Sequence, residues 1–212
     1  MRDVKSRAGS LRAERAALTE RRIAQAARGL FADHGYAATT LTAIALEAGV
    51  AVQTVYAVFG SKANILRALL RVLVDEPAAD AAYVDALAAP AAEEALAGFA
   101  HSIRLRWEAA HDVVLILDDA ASADPAIRDE MNGALRARRG GIEELARSLG
   151  ARRPELGDEA RGAAIIDALT LPEVYGALVG HHGWTPDRYE IWLATALRSM
   201  VIDETRDLQR DP

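Results

Sequence analysis

The side chains best suited to recognising another molecule lie in a short stretch that runs from Gln53 to Lys62. The Gln53 amide can accept a hydrogen bond from N6 of an adenine and donate one to N7, in the major groove of DNA. Lys62 follows Ser61, a predicted helix cap, and a positive charge at that end of a helix opposes the helix dipole. A contact with another molecule therefore explains Lys62 better than helix stability does.

Catalytic and metal-binding chemistry has little support elsewhere in the chain. There are no cysteines, which excludes disulfides, thiolate metal sites and cysteine nucleophiles. No metal signature such as His-Glu-x-x-His includes the later histidines, which are His101, His111, His181 and His182. The neighbouring carboxylates Asp118-Asp119 and Glu143-Glu144 would point in different directions from a helix, and no nucleophile with a base and an orienting group can be assembled. We expect no enzyme activity, no metal and no cofactor.

Two short helices joined by a glycine would position Gln53. Thr40 offers a hydroxyl cap for a helix over about residues 41–48, and Gly49 can adopt the left-handed backbone conformation that ends it. Helical spacing of apolar residues resumes over residues 50–59. Two short helices across a glycine turn have the geometry of a helix-turn-helix.

The remaining elements are also predicted to be helical. A first helix begins near Thr19 and stops at His34-Gly35, and Ser61 caps a fourth helix that ends at Val74. Beyond Pro77, the predicted domain boundary, helices cover about residues 79–88, 91–110, 112–122, 125–149, 158–180 and 186–206. The predicted fold is all-α, with an N-terminal three-helix helix-turn-helix domain (19–76) followed by a larger helical domain (77–212).

Charge is unevenly distributed along the chain. The formal net charge is -6, yet residues 1–75 carry 11 Lys and Arg against 6 Asp and Glu, and the remainder carries 14 against 25. A phosphate-facing module joined to an acidic domain would show this asymmetry. A chance imbalance of charges on solvated helix faces explains the charge distribution equally well. The sequence contains no signal peptide and no apolar run of the roughly 20 residues that a membrane span requires. We expect a cytoplasmic protein.

The first 18 residues form a basic arm. Such an arm could enter a minor groove of DNA or remain a disordered tail, and the two interpretations stay open. Its basic residues are Arg2, Lys5, Arg7, Arg12 and Arg15.

Residues 19–70 resemble the DNA-binding domain of the tetracycline-repressor family. The features that match in one register are Ala26-Ala27, Leu30-Phe31, Gly35-Tyr36, Thr39-Thr40, Ile44-Ala45, Ala48-Gly49-Val50, Thr54-Val55-Tyr56, Phe59 and Ser61-Lys62. The resemblance implies one set of residues near base edges, namely Thr42, Val52, Gln53 and Thr54. It implies a second set on phosphates, namely Thr40, Tyr56 and Lys62. Two positions depart from the family pattern, since Ala51 stands where a capping serine is common and Val58 where His or Tyr is common.

Residues 165–202 resemble the last two helices of one large subset of the same family, in which Gly-Trp followed by Ser-Pro or Thr-Pro joins the two. In the family these helices form a four-helix interface between two copies. The apolar residues that would supply it are Ile165, Leu169, Val174, Leu178, Ile191, Leu193, Ala194, Leu197 and Val201; alternatively, they fill the core of one chain. A two-fold dimer would set two recognition helices about 34 Å apart, which predicts a pseudo-palindromic operator.

Members of the family commonly respond to small molecules held between the central helices. The candidate lining residues, inward-facing on the predicted periodicity, are Phe99, Ile103, Trp107, His111, Leu115, Met131, Leu135 and Tyr175. A plain core role competes with ligand contact at each of them.

The leading interpretation is a dimeric repressor that an effector releases from its operator. Activation of transcription, instead of repression, is the other possible effect. The alternative is a regulator without a small-molecule ligand, controlled by its abundance or by a protein partner, and a body without a cavity of about 300 Å³ would favour it.

Overall fold

The computed structural model describes the backbone of residues 3–203 and the side chains of residues 13–71 and 74–203. Every regular element in this part of the chain is helical, which confirms the predicted all-α class. The helices are α1 (Asp3–His34), α2 (Leu41–Ala48), α3 (Val52–Phe59), α4 (Lys62–Val74), α5 (Pro77–Ala88), α6 (Ala92–Ala123), α7 (Pro125–Arg152), α8 (Glu159–Leu169), α9 (Pro172–Tyr175) and α10 (Pro186–Leu197). A 3₁₀ helix (Pro154–Leu156) follows α7, and π-helical segments extend α9 (Gly176–His181) and α10 (Arg198–Asp203).

The described residues divide into two compact units. The first unit comprises residues 3–71 and 115–129, and the second comprises residues 72–114 and 130–203. α4, α6 and α7 each supply residues to both units, so the chain passes from one unit to the other within helices. Residues 115–129 of the first unit lie within 77–212, the range predicted for the C-terminal domain.

α1 begins at Asp3 and not near Thr19 as the sequence suggested. Thr19 lies inside the helix, where its hydroxyl donates to the carbonyl oxygen of Arg15 at 2.9 Å. A threonine that bonds back by one turn satisfies its hydroxyl within a continuing helix, so it does not act as a cap. Of the predicted basic arm, Arg15 is an exposed residue of α1, whereas Arg2 and the side chains of Lys5, Arg7 and Arg12 lie outside the described residues.

A compact apolar core holds the first unit together. Ile23, Ala27 and Phe31 recur at one-turn intervals and form the buried stripe of α1. The other helices of the unit contribute the buried residues Ile44, Ala45, Ala48, Val55, Phe59, Ile65, Leu66, Leu69, Ile116, Leu117, Ala120, Ala121 and Ile127. Burying each large aliphatic side chain contributes roughly 1.5–3 kcal/mol, so this core fixes the positions of the short helices α2 and α3.

The second unit is built around the first part of α6. This helix contains a break at Ala110 (φ -148°, ψ 22°), between the two helices predicted at 91–110 and 112–122. Before the break, α6 buries Leu96, Phe99, Ile103 and Trp107. The facing helices complete the core with Ile142, Leu145, Leu149, Ile166, Tyr175, Tyr189, Leu193, Leu197, Val201 and Ile202.

The helix predicted over residues 158–180 is interrupted. α8 ends at Leu169, Leu171 is extended (φ -61°, ψ 145°), and Pro172 is the first residue of α9. A residue before proline is disfavoured in the helical region, and proline is well tolerated at the first helical position. The continuous helix was therefore a wrong prediction, and the Leu171-Pro172 pair was the signal for the break.

Within residues 3–203, no single helix is both long enough and apolar enough to cross a membrane. Two pairs of consecutive helices reach that apolar length only if the two helices of a pair are counted as one bent segment. These are α2 with α3, across a bend of 108°, and α8 with α9 and its extension, across a bend of 42°.

Candidate nucleic-acid interface

Capping interactions fix both ends of α2. The Thr40 hydroxyl accepts a hydrogen bond from the amide of Ala43 at 3.1 Å, as predicted. Gly49 adopts the predicted left-handed conformation (φ 64°, ψ 39°), and Arg22 donates to the last carbonyl of the helix, that of Ala48, at 2.7 Å. The chain then bends by 108° into α3, within the roughly 90–120° typical of a helix-turn-helix.

α3 has one buried and one exposed face. Val55 and Phe59 are buried and anchor the helix on the core of the first unit. Gln53 is exposed, and Tyr56 retains 56% of its accessible surface. The other residues predicted to contact DNA are Val52 and Thr54, which are half-buried, and Thr40 and Thr42, which are exposed. The protein thus leaves these side chains accessible, and their assignment to bases and phosphates stays a prediction.

The exposed surface of α2 and α3 is almost uncharged. Glu47 is the only Asp, Glu, Lys or Arg residue in these two helices. Leu46 is 83% exposed and Val58 is 40% exposed. A surface of this kind can contact thymine methyl groups and respond to DNA shape, but attraction to phosphates has to come from basic residues on other elements.

Ala51 leaves α3 without a side-chain cap. Its backbone is extended (φ -68°, ψ 146°), as a capping residue requires, but alanine carries no acceptor. We expect Ala51→Ser to raise the free energy of unfolding by about 0.5–1 kcal/mol, because the new hydroxyl would accept from an amide of the first turn. Thermal denaturation measures the effect, with Ala51→Val as a control that adds bulk without an acceptor. A melting temperature no higher for the serine variant than for the wild type would contradict the expectation.

Lys62 holds the loop between α1 and α2. Its ammonium group donates to the carbonyl oxygens of Tyr36, Ala37 and Thr39, at 3.2 Å for Ala37 and 2.9 Å for Thr39. It also lies 4.3 Å from the centroid of the Tyr36 ring, and burial lowers the pKa of the ammonium group. Because its three N–H groups are used within the protein, any phosphate contact by Lys62 would act through charge. The phosphate contact stays a prediction, and the loop contacts are a positioning role that the sequence did not reveal.

Asp119 holds the same loop from another helix. One carboxylate oxygen accepts from the backbone N–H of Tyr36 at 2.8 Å. Inside the loop, the buried hydroxyl of Thr39 lies 2.9 Å from the carbonyl oxygen of Gly35 and 3.1 Å from that of Leu30. Asp119, considered from the sequence only as half of a catalytic carboxylate pair, therefore caps a backbone amide.

Most residues predicted to line an effector site lie in the second unit. Phe99, Ile103, Trp107 and Tyr175 are buried in its core. His111 is half-buried, its Nε2 atom lies 2.9 Å from the carbonyl oxygen of Pro172, and its ring centroid lies 5.3 Å from that of Tyr175. The sequence therefore identified part of an aromatic core, and ligand contact by these residues stays a prediction.

Two of the predicted lining residues do not face inward. Leu115 is 59% exposed and Leu135 is 41% exposed, whereas Met131 is half-buried. Leu115 belongs to the first unit, where α6 buries its neighbours Ile116 and Leu117 and leaves Leu115 exposed. On α7, Leu135 lies two turns before Ile142 on the same helical face, but that face is no longer buried at this point of the helix.

A groove of about 510 Å³ lies between α7 and α8 in the second unit. Its lining residues are Arg139, Ile142, Glu143, Arg147, Glu159, Ala160, Ala163, Ala164 and Asp167. A cavity of about 20 Å³ lies near the C-terminal end of α7. The residues predicted for an effector site line neither of these two spaces.

The apolar residues predicted for a dimer interface divide into two groups. Leu193, Leu197 and Val201 are buried in the core of the second unit. Ile191 is 70% exposed, and Ile165, Leu169, Val174, Leu178 and Ala194 are half-buried. Some of these side chains therefore fill the core of one chain, and the accessible remainder can contact a second copy.

Glu143 and Glu144, the second carboxylate pair considered from the sequence, have different surroundings on α7. Glu144 lies 3.1 Å from the hydroxyl of Tyr83, and burial together with this carboxylate raises the pKa of Tyr83 to about 12. Glu143 is exposed at the groove between α7 and α8. In the part of the chain that the structure describes, no three His, Asp or Glu residues are grouped so that they could hold a metal ion.

Comparison with known proteins relates these elements to a family. Residues 23–69, from α1 into α4, match the family model described as bacterial regulatory proteins of the tetR family. A transcriptional regulator of the TerR/AcrR family from Aquifex aeolicus VF5 superposes with a TM-score of 0.65 and 18% identity, covering 85% of this chain and 98% of that chain. No curated protein matches the chain.

Two further solved structures are similar over most of their length. The ketosteroid transcriptional regulator of Mycobacterium tuberculosis has a TM-score of 0.64 and 23% identity, covering 85% of this chain and 94% of that chain. A protein of Saccharomonospora viridis described as a transcriptional regulator, in complex with choline, has a TM-score of 0.61 and 25% identity, covering 84% and 95%.

Proposed function

Through residues 23–69, the chain belongs to the tetR family of bacterial regulatory proteins, and we propose that it is a dimeric transcriptional regulator that reads DNA with α3. One observation supports this most strongly. The caps at Thr40 and Gly49 hold α2 and α3 at the bend of a helix-turn-helix, and α3 leaves Gln53 and Tyr56 exposed while Val55 and Phe59 anchor it. A helix presented in this way can enter the major groove.

The proposed contacts fall into two classes. Gln53, Thr42, Val52 and Thr54 read base edges, and Gln53 alone among them can pair bidentately with adenine. Thr40, Tyr56 and Lys62 contact the phosphate backbone, which fixes the register of α3 without reading sequence.

Gln53→Ala is expected to relax base preference at one position of each half-site. The loss of a bidentate pair reduces discrimination against the wrong base by about 1–3 kcal/mol. Titration of operator variants with each base substituted in turn measures this loss. Gln25→Ala, at an exposed glutamine of α1, is the matched control and should leave the preference profile unchanged. An identical profile for Gln53→Ala and wild type would exclude direct reading by Gln53.

We propose that two copies pair through the region from α8 to the end of α10. The apolar side chains that remain accessible there, led by Ile191, support this assignment. A two-fold dimer places its two α3 helices about one DNA turn apart, so the operator should be pseudo-palindromic.

We infer that a small-molecule effector releases the protein from its operator and that the protein acts as a repressor. The aromatic core formed by Trp107, Tyr175 and neighbouring rings in the second unit supports a ligand site there. The choline complex of the Saccharomonospora viridis protein is a precedent for small-molecule binding in a similar structure. A ligand that favours one spacing of the recognition helices would change operator affinity through a coupling free energy.

One observation favours a regulator controlled by abundance or by a protein partner. The residues predicted to line an effector site are packed or exposed, and they line neither the groove nor the smaller cavity of the second unit. Effector response in this protein thus requires the core to rearrange around a ligand.

Selection of bound sites from random duplexes tests the proposed DNA-binding function. We expect enrichment of sequences with two half-sites related by a two-fold axis and separated by about 10 base pairs or a multiple of that spacing. Failure to enrich any sequence would contradict operator recognition, and enrichment of single, asymmetric sites would contradict the dimer.

A further inference from the structure

Two buried polar atoms of the second unit have no hydrogen-bond partner among the described residues. They are the hydroxyl oxygen of Tyr189 and the Nε atom of Arg138. Tyr189 is 0% exposed, so its hydroxyl is removed from solvent. Buried polar groups are almost always paired in folded proteins, and an exception calls for an explanation such as a bound molecule.

The two atoms belong to side chains of α10 and α7 that border the same core. Arg138 donates to the hydroxyl of Thr170, the carbonyl oxygen of Thr170 accepts from Trp107, and Trp107 and Tyr189 belong to one buried cluster. Burial raises the pKa of the Tyr189 phenol, and the positive charge of Arg138 opposes that rise. The other nitrogens of Arg138 are occupied. Nη1 donates to the carboxylate of Asp167, and Nη2 donates to the hydroxyl of Thr170 at 2.8 Å and to the carbonyl oxygen of Asp167 at 3.2 Å.

Aromatic rings surround the Tyr189 side chain. Its ring centroid lies 4.9 Å from that of Tyr175 in an edge-on arrangement and 5.9 Å from that of Trp192. The polar groups of two further rings nearby are already paired, because Trp107 donates to the carbonyl oxygen of Thr170 at 3.3 Å and His111 Nε2 lies 2.9 Å from that of Pro172. The Tyr189 hydroxyl and the Arg138 Nε–H are therefore two buried donors available to another molecule within an apolar, aromatic setting.

We propose that this part of the second unit binds an uncharged small molecule whose carbonyl oxygen accepts hydrogen bonds from the Tyr189 hydroxyl and the Arg138 Nε–H. The proposal rests on the proposed function, in which a small molecule controls DNA binding, and it names the chemical class of that molecule. Ketones, esters and lactones with an apolar or aromatic body belong to this class.

Charge selects the class. Arg138 is already paired with Asp167, whose side chain is 35% exposed, so an anionic ligand would lie close to a second negative charge beside a guanidinium that is already neutralised. A cation such as choline would lie beside the Arg138 guanidinium, and the unpaired groups around it are donors. An uncharged acceptor satisfies both donors without burying a further charge.

The groove between α7 and α8 supplies a route to this site. Asp167, the partner of Arg138, lines the groove, and Ile142 lines it while also belonging to the core. The groove volume of about 510 Å³ lies within the roughly 300–1,000 Å³ that small-molecule sites occupy. A ligand can therefore approach Arg138 from the groove and reach Tyr189 by displacing side chains of the core.

Two matched tyrosine variants of the full chain test the state of the Tyr189 hydroxyl. Tyr189→Phe removes an unpaired buried group, so without ligand its Tm should rise by about 2–4 °C. Tyr83→Phe is the control, because the Tyr83 hydroxyl is paired: it donates to the carbonyl oxygen of Gly141 at 2.9 Å. The Tm of Tyr83→Phe should fall by a similar amount. A fall in Tm for Tyr189→Phe would show that the hydroxyl is already paired and would overturn the proposal.

Binding of four probes of related size tests the ligand class by calorimetry. Acetophenone is the carbonyl probe, ethylbenzene has nearly its shape without the oxygen, benzoate is the anion and choline is the cation. We expect acetophenone to bind at least tenfold more tightly than the other three, and Tyr189→Phe to lose most of that advantage. Equal binding of acetophenone and ethylbenzene, tighter binding of benzoate or choline, or no effect of Tyr189→Phe would overturn the proposal. Operator affinity measured without any probe reports separately on the proposed DNA-binding function.

Discussion

Lys62→Met is expected to lower the free energy of unfolding by about 2–3 kcal/mol and to weaken binding to every duplex, whatever its sequence. The ammonium group makes three hydrogen bonds to carbonyl oxygens of the loop between α1 and α2, and hydrogen bonds to charged groups contribute about 1.5–3 kcal/mol each before exposure is considered. Methionine retains the apolar contact with Tyr36 but supplies no donor. The loop precedes Thr40, so its disorder would also loosen α2.

Urea denaturation and the salt dependence of DNA binding separate the two roles of Lys62. Arg71→Met is the matched control, because it removes a positive charge from an exposed position of the same helix. If Lys62 also neutralises a phosphate, the slope of log affinity against log salt falls in magnitude by roughly 1; if it only positions the loop, the slope is unchanged while stability falls. If Lys62→Met and the wild type unfold at the same midpoint urea concentration, the loop-holding role is contradicted.

The second large effect is expected at the turn between α2 and α3. Gly49→Val places a branched side chain in a left-handed backbone conformation (φ 64°), and a Cβ atom there would lie 2.9 Å from Nη2 of Arg22, whose guanidinium bonds the end of α2. Left-handed backbone costs roughly 1–2 kcal/mol for ordinary residues and more for branched ones, so we expect a loss of about 2–3 kcal/mol. Operator affinity should fall at least tenfold, because the angle between α2 and α3 changes.

Gly29→Ala is the control for that experiment. A Cβ atom at Gly29 meets nothing within 4 Å on α1, and alanine in a helix interior is favoured over glycine by roughly 0.5–1 kcal/mol. The control should therefore be slightly more stable than the wild type with unchanged DNA affinity. A Gly49→Val protein that unfolds and binds like the wild type would show that the turn does not require the left-handed conformation.

Local signals in the sequence were enough to predict the helix-turn-helix. Thr40, Gly49 and Ser61 act on amides or carbonyls within a few residues of themselves, so residue type and spacing reveal them. The partners that hold the loop before α2 are not local. Asp119 lies 83 residues from Tyr36 along the chain, and no spacing rule links the two.

Errors at helix boundaries arose where one residue type has two uses. Thr19 could cap a helix or bond back inside one, and the structure shows the second use. Pro172 could have been identified as a helix start in the way that Pro186 was, because each follows an extended residue and occupies the first turn.

The effector site was the hardest feature to predict from sequence. The buried positions after the break at Ala110 are Val113, Ile116 and Leu117, and Leu115 lies on the exposed side of that part of α6. The choice of apolar or amphipathic residues on inward-facing positions also passed over Arg138 and Tyr189, whose unpaired atoms are visible only after the side chains are placed.

The central claim is that α3 presents Gln53 and Tyr56 to a groove of double-stranded DNA. A fluorescence anisotropy titration against the selected operator and a shuffled duplex, between about 50 and 200 mM salt, tests it most directly. We predict that affinity falls steeply with salt on both duplexes and that the operator binds about a thousandfold or more tightly than the shuffled sequence. Absence of salt-sensitive binding to either duplex would contradict the account.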